Sequence, residues 1–104
     1  MKLEVCVADP RSLIEAVAGG ADRIELCSAL ELGGLTPLPG MMALAAASGV
    51  PAYAMIRSRS GDFVFDDTDV DAMLRDIDAV RAAGLAGVVA VSYTHLTLPT
   101  ILLV

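Results

Sequence analysis

The sequence contains no apolar run long enough to span a bilayer, and its start, MKLEVCVAD, lacks the shape of an export signal because Glu4 and Asp9 interrupt it. No membrane partner is expected, and the cytoplasm is the expected compartment. Cysteine is scarce: Cys6 and Cys27 are the only two, with no CxxC spacing, so no disulfide framework is implied and a reducing environment is the simpler setting. Positive charge is also in short supply. Seven Lys and Arg against thirteen Asp and Glu leave a net charge of -6, which argues against unspecific binding to nucleic acid or to anionic membranes. Charged residues make up only 19% of the chain and apolar ones 56%, too apolar a balance for disorder and one that supports a packed α/β core. At 104 residues the chain is one small domain or part of a larger one.

What is present alternates between strand and helix signals. Leu3–Val7 reads as a first strand, with Glu4 and Cys6 on one face and Leu3, Val5 and Val7 on the other. Asp9 caps a helix that Pro10 opens, Leu13, Ile14, Ala16 and Val17 form its apolar stripe, and Gly19-Gly20 ends it. A second strand follows over Ala21–Cys27. Arg23, Glu25 and Cys27 share one face of it, an odd set for a plain core. The two strands are expected to be parallel neighbours with a right-handed crossover.

A long loop, broken by Gly33, Gly34, Pro37 and Pro39, precedes a short helix over about Gly40–Ala47. The third strand is expected over Pro51–Arg57 and a polar loop over Ser58–Asp67. The third helix runs on to Gly84, with Thr68 as its cap and Val70, Met73, Leu74, Ile77 and Val80 at helical spacing. Asp66, Asp67, Asp69 and Asp71 have a metal-binding composition, but acids at a helix start are also what the helix dipole favours. A fourth strand begins near Leu85. Ala18-Gly19-Gly20, Ala47-Ser48-Gly49 and Ala82-Ala83-Gly84 each precede a strand, so a helix-Gly-strand unit repeats. About three and a half units are present, where a closed eight-unit barrel needs ~250 residues.

Three motifs in order, GADRIELC at Gly20–Cys27, GGLTP at Gly33–Pro37 and IRSRSGDF at Ile56–Phe63, resemble the CutC copper homeostasis family, with its GADR-x-ELC, GGLTPS and IRPR-x-GDF. Ser58 stands where that family has Pro, and Leu38-Pro39 replaces the Ser after LTP. Neither change removes a charged group. The resemblance covers about residues 1–90. It implies a fold class of α/β, the N-terminal part of a cytoplasmic (β/α)8 TIM-type barrel more than twice this length, and a role in copper homeostasis with copper as the bound ion. It leaves open whether the full-length protein is a homo-oligomer.

In such barrels chemistry sits at the C-terminal ends of the strands. That end holds Cys27 and the Gly33–Pro37 loop after strand two, and Arg57, Arg59, Gly61 and Asp62 after strand three, while Glu4 and Glu25 project into the barrel. Glu25, Arg57 and Arg59 are the catalytic candidates, expected to converge at the mouth, and Glu4, Gly61 and Asp62 the pocket candidates. Two arginines near two carboxylates can grip a small anionic ligand or hold a general acid or base, and can equally form a buried ion network that fixes strand register. Cys6 and Cys27 are the metal candidates, because Cu(I) prefers sulfur, although a cysteine also serves as a small apolar filler. Met41 and Met42 read as helix packing. Three functions therefore stay open: copper handling, a barrel enzyme acting on a small anionic metabolite, and a gene fragment with no function.

From Val91 the character changes. VSYTHLTLPT at Val91–Thr100 is similar to a translation of the transposase adapter used to prepare sequencing libraries, and Ile101–Val104 fits the same frame running to a stop. Residues 91–104 are therefore expected to be a non-native addition, with a strand-turn-strand ending as the alternative. On the adapter reading His95, the chain's one histidine, is neither ligand nor base.

Overall fold

A computed structural model describes residues 2–94 and 98–103, with side chains described over residues 2–90. The chain runs β1 (Glu4–Val7), α1 (Pro10–Ala18), β2 (Arg23–Leu26), a 3-10 turn at Leu30–Leu32, α2 (Pro39–Ala46), β3 (Ala52–Ile56), α3 (Asp67–Ala83), β4 (Gly87–Thr94) and β5 (Leu98–Leu103). The strands form one sheet in sequence order. β1 to β4 are parallel, as short helical crossovers require, and β5 returns antiparallel to β4.

Alternation along the strands divides the sheet into two faces. Val7, Ile24, Leu26, Ala54, Ile56 and Val88 point to one face and are buried there. Leu13 of α1, Met42 and Ala45 of α2, and Met73 and Val80 of α3 join them in a single core, so all three helices cover that face. Ile24, Leu26, Ile56 and Val7 are fully enclosed, each contributing roughly 1.5–3 kcal/mol by leaving water. The opposite face carries Glu4, Cys6, Arg23, Glu25, Tyr53 and Met55, all exposed or half-buried.

The helix starts follow local chemistry. Asp9 caps α1, its Oδ1 accepting the Ser12 N–H at 2.7 Å, with Pro10 as the first helical residue. α3 differs from expectation, because its cap is Asp66 and not Thr68. Asp66 Oδ1 accepts the Asp69 N–H at 2.8 Å and Asp69 Oδ2 accepts the Asp66 N–H at 3.1 Å, a reciprocal capping box that places Thr68 inside the first turn. Two of the four clustered aspartates thus form the cap, and a third, Asp71, accepts from Arg75 Nε at 3.0 Å. α2 begins one residue earlier than its sequence suggests, at Pro39, and β4 two residues later than Leu85, at Gly87. β4 runs on into the segment whose sequence changes character at Val91, and β5 pairs there, Thr100 opposite Ser92. His95 lies outside the described residues.

Candidate functional site

The site grows from the open face of the sheet. β1 and β2 pair with Cys6 beside Glu25 and Glu4 beside Arg23, and β2 and β3 pair with Glu25 beside Tyr53. Side chains of like parity therefore form a continuous polar patch. Arg23 binds the Glu4 carboxylate through Nε and Nη2, and its guanidinium carbon lies 5.2 Å from the centre of the Tyr53 ring. The Cys6 thiol donates to Glu25 Oε2 at 3.2 Å.

Cys27 continues the same parity one step past β2, yet it is buried. The cover is the glycine turn. Ser28 and Leu35 exchange backbone hydrogen bonds of 2.9 and 2.8 Å, which folds the intervening loop back over the strand end. Gly34 has φ of +96°, and a Cβ on it would stand 3.5 Å from Cys27 Sγ and 3.9 Å from Met55 Cε. Glycine is what lets the backbone turn there and lie against the sulfur.

Partial desolvation, reinforced by the hydrogen bond to and charge of Glu25, raises the Cys6 thiol to about 11. Burial, then the charge of Glu25 and then Cys6, raises Cys27 to about 12. Both stay protonated at neutral pH, so a cation binding to sulfur must displace protons. The negative charge that resists thiolate formation would equally favour a cation taking the protons' place. Among the described residues no three His, Cys, Asp or Glu side chains form a metal cage. As ligand types, thiols favour soft cations over oxygen-seeking ones.

The arginines sit elsewhere than the sequence suggests. Arg57 is 8% exposed and spends its guanidinium on backbone carbonyls: Nη1 donates to Leu32 O at 2.8 Å and to Gly34 O at 3.4 Å, and Nη2 to Gly61 O at 2.9 Å. Its face lies 4.6 Å from the centre of the Phe63 ring. It therefore ties the glycine turn to the loop after β3. Among the described residues no carboxylate pairs with it, and its buried Nε has no acceptor. Arg59 turns to the start of α3, where Nε donates to both Asp69 oxygens at 3.2 Å and Nη2 to Asp62 Oδ1 at 3.3 Å and to Val64 O at 2.9 Å. Asp62 Oδ1 also accepts the Val64 N–H at 3.1 Å. Gly61 takes a φ of +94° against Arg59, making the tight turn both arginines need.

The sequence-predicted residues thus separate into two groups. Glu4, Cys6, Glu25 and Cys27 come together on the sheet, joined by Arg23. Arg57, Arg59, Gly61 and Asp62 organise the loop after β3, and among the described residues neither Arg57 nor Arg59 bonds to Glu25. Met55 was not among the sequence candidates, although its parity with Tyr53 and Arg57 on β3 places it on the open face.

The comparisons with known proteins agree with this architecture. The profile of the CutC family matches residues 1–97. A CutC family protein of Sinorhizobium medicae is 69% identical over 87 residues, covering 84% of this chain and 36% of the relative. One from Rhizobium meliloti is 67% identical over 89 residues, covering 86% and 36%. The crystal structure of a CutC protein from Streptococcus agalactiae superposes with a TM-score of 0.82 at 29% identity, over 91% of this chain and 48% of that one. This chain therefore spans about 36% of the length of the curated relatives and about half of the solved barrel-type structure. With four parallel βα-connected strands, three ordered motifs and a family profile matched along most of its length, the chain belongs to the CutC family.

Proposed function

We propose that this chain carries a copper-handling site of a cytoplasmic copper homeostasis protein, with Cys6 and Cys27 taking Cu(I) as cargo. The observation that carries this reading is the placement of both thiols on one face of adjacent strands, with Glu25 hydrogen-bonded to Cys6 at 3.2 Å. The Streptococcus agalactiae relative is named for copper homeostasis, which supports the same assignment. Glu25 and Glu4 supply negative charge around the sulfurs, and binding releases the thiol protons. Titrating Cu(I) into the reduced chain against a coloured Cu(I) chelator tests the reading. Stoichiometric binding that Cys27→Ser abolishes is the expected result, and the same binding by the wild-type and Cys27→Ser chains overturns it.

A second reading, an enzyme acting on a small anionic metabolite, draws on Arg57, whose buried charge pairs with no carboxylate among the described residues and whose Nε has no acceptor among them. An anion there would complete the arginine's bonding. Titration with inorganic phosphate and small carboxylates decides it: saturable binding that Arg57→Ala removes supports an anion site, while no heat or chemical-shift change leaves Arg57 as a loop tie alone. Residues 91–104 stand outside both readings if their codons match the adapter, GTC TCT TAT ACA CAT CTG ACG CTG CCG ACG from Val91, ending in TAG. Unrelated codons in the source DNA would return His95 to consideration.

A further inference from the structure

We propose that Met55 is a third soft donor beside Cys27, making the copper site of this chain a three-sulfur site of Cys6, Cys27 and Met55. This inference rests on the Cu(I) reading above. The register of β2 and β3 pairs Glu25 with Tyr53 and Leu26 with Ala54, so the next residues along, Cys27 and Met55, fall side by side with the same parity. Gly34 gives an independent measure of that neighbourhood, because one added atom there would touch both Cys27 Sγ, at 3.5 Å, and Met55 Cε, at 3.9 Å. The two sulfur-bearing side chains thus end beneath the same backbone turn. Cys6 approaches from β1, where it stands beside Glu25 and so one diagonal step from Cys27 on the same face.

Met55 is also placed unlike the packing methionines. Met42 and Met73 belong to the core under the helices, 3% and 8% exposed, whereas Met55 is half-buried on the opposite side of the sheet. A long apolar side chain gains little there by packing alone. A thioether is a soft ligand without a proton to lose, so it can bind Cu(I) while both neighbouring thiols must first be deprotonated. The turn held by Arg57 through the Gly34 and Leu32 carbonyls lies over Cys27, which is buried.

The test uses the reduced 104-residue chain loaded with Cu(I) in competition with a coloured chelator, for wild type, Met55→Leu and Cys27→Ser. Leu keeps the volume and removes the donor. Met55→Leu is expected to weaken Cu(I) by roughly tenfold or more, since even indirect partners of metal ligands are worth that much. X-ray absorption at the copper edge should count three sulfur neighbours in wild type and two in Met55→Leu. Selenomethionine-labelled wild-type protein needs no substitution and should show a selenium neighbour at copper that disappears in labelled Met55→Leu. Wild-type affinity in Met55→Leu, or no selenium at copper, overturns the three-sulfur site while leaving the two-thiol reading intact if Cys27→Ser still abolishes binding. A wild-type chain that binds no Cu(I) overturns both.

Discussion

The two faces of the sheet use the same strands for opposite ends. Under the helices, Val7, Ile24, Leu26, Ala54 and Ile56 exclude water and make no polar contact through their side chains. On the other side of β1 to β3, each intervening residue is charged, polarisable or aromatic, and the contacts are Arg23 with Glu4, Cys6 with Glu25, and Arg23 over Tyr53. A strand with a period of two can therefore be read as two sequences interleaved. One specifies the fold, and the other is free to carry chemistry because the fold does not depend on it.

Substitutions that strike one face alone test this division. Ile24→Ala removes a fully enclosed side chain and is expected to cost about 2–5 kcal/mol in a denaturant titration, whereas Cys6→Ser on the open face should stay within ~0.5 kcal/mol. Equal losses from the two would end the comparison. Arg57 sharpens it, since it has open-face parity but is buried by loops. Arg57→Ala strands carbonyls of Leu32 and Gly61 and should cost roughly 1.5–3 kcal/mol, with faster proteolysis in the loops that it joins. Stability unchanged within error would show that the loops hold without it.

Smaller effects concern α3 and the titrating groups. Asp66→Ala should cost about 0.5–2 kcal/mol through loss of the cap, and Thr68→Ala only a few tenths, which thermal melts of the pair resolve. The bond from Arg59 holds the Asp69 carboxyl below the usual range. Its contribution is present above the ordinary carboxylate value and fades as pH falls through its lowered one, so Asp69→Asn should flatten the acid limb of the stability curve. The thiols act at the other end. Their raised values favour the folded state below the ordinary thiol value of 9.0, and that contribution is lost as pH rises towards about 11 for Cys6 and about 12 for Cys27. Alkylation by iodoacetamide should accordingly be slow at neutral pH at both sites and rise first at Cys6, and prompt labelling of Cys27 at neutral pH would contradict the cover over it.

Local rules made the strands, their parity, the cap of α1 and the repeating units legible in the sequence, because each depends on residues a few positions apart. The cap of α3 escaped because four nearby aspartates and a threonine offer several frames, and the choice of Asp66 depends on its reciprocal bond with Asp69. The arginines escaped for a different reason. Their acceptors are largely carbonyls of Leu32, Gly34, Gly61 and Val64, groups common to every residue, and only the path of the loops brings them within reach. Met55 is a matter of register, which neither β2 nor β3 specifies by itself.

The stacking of Arg23 on Tyr53 has a practical corollary. The chain has no tryptophan and two tyrosines, Tyr53 and Tyr93, so replacing Tyr93 with Phe would leave a single tyrosine fluorophore. That fluorophore lies 5.2 Å from a guanidinium whose other partner is the Glu4 carboxylate. Anything that draws Arg23 away from Glu4, or brings a heavy quenching ion to the strand ends, should alter the emission of Tyr53. The open face then reports its own occupancy as light, without any added dye.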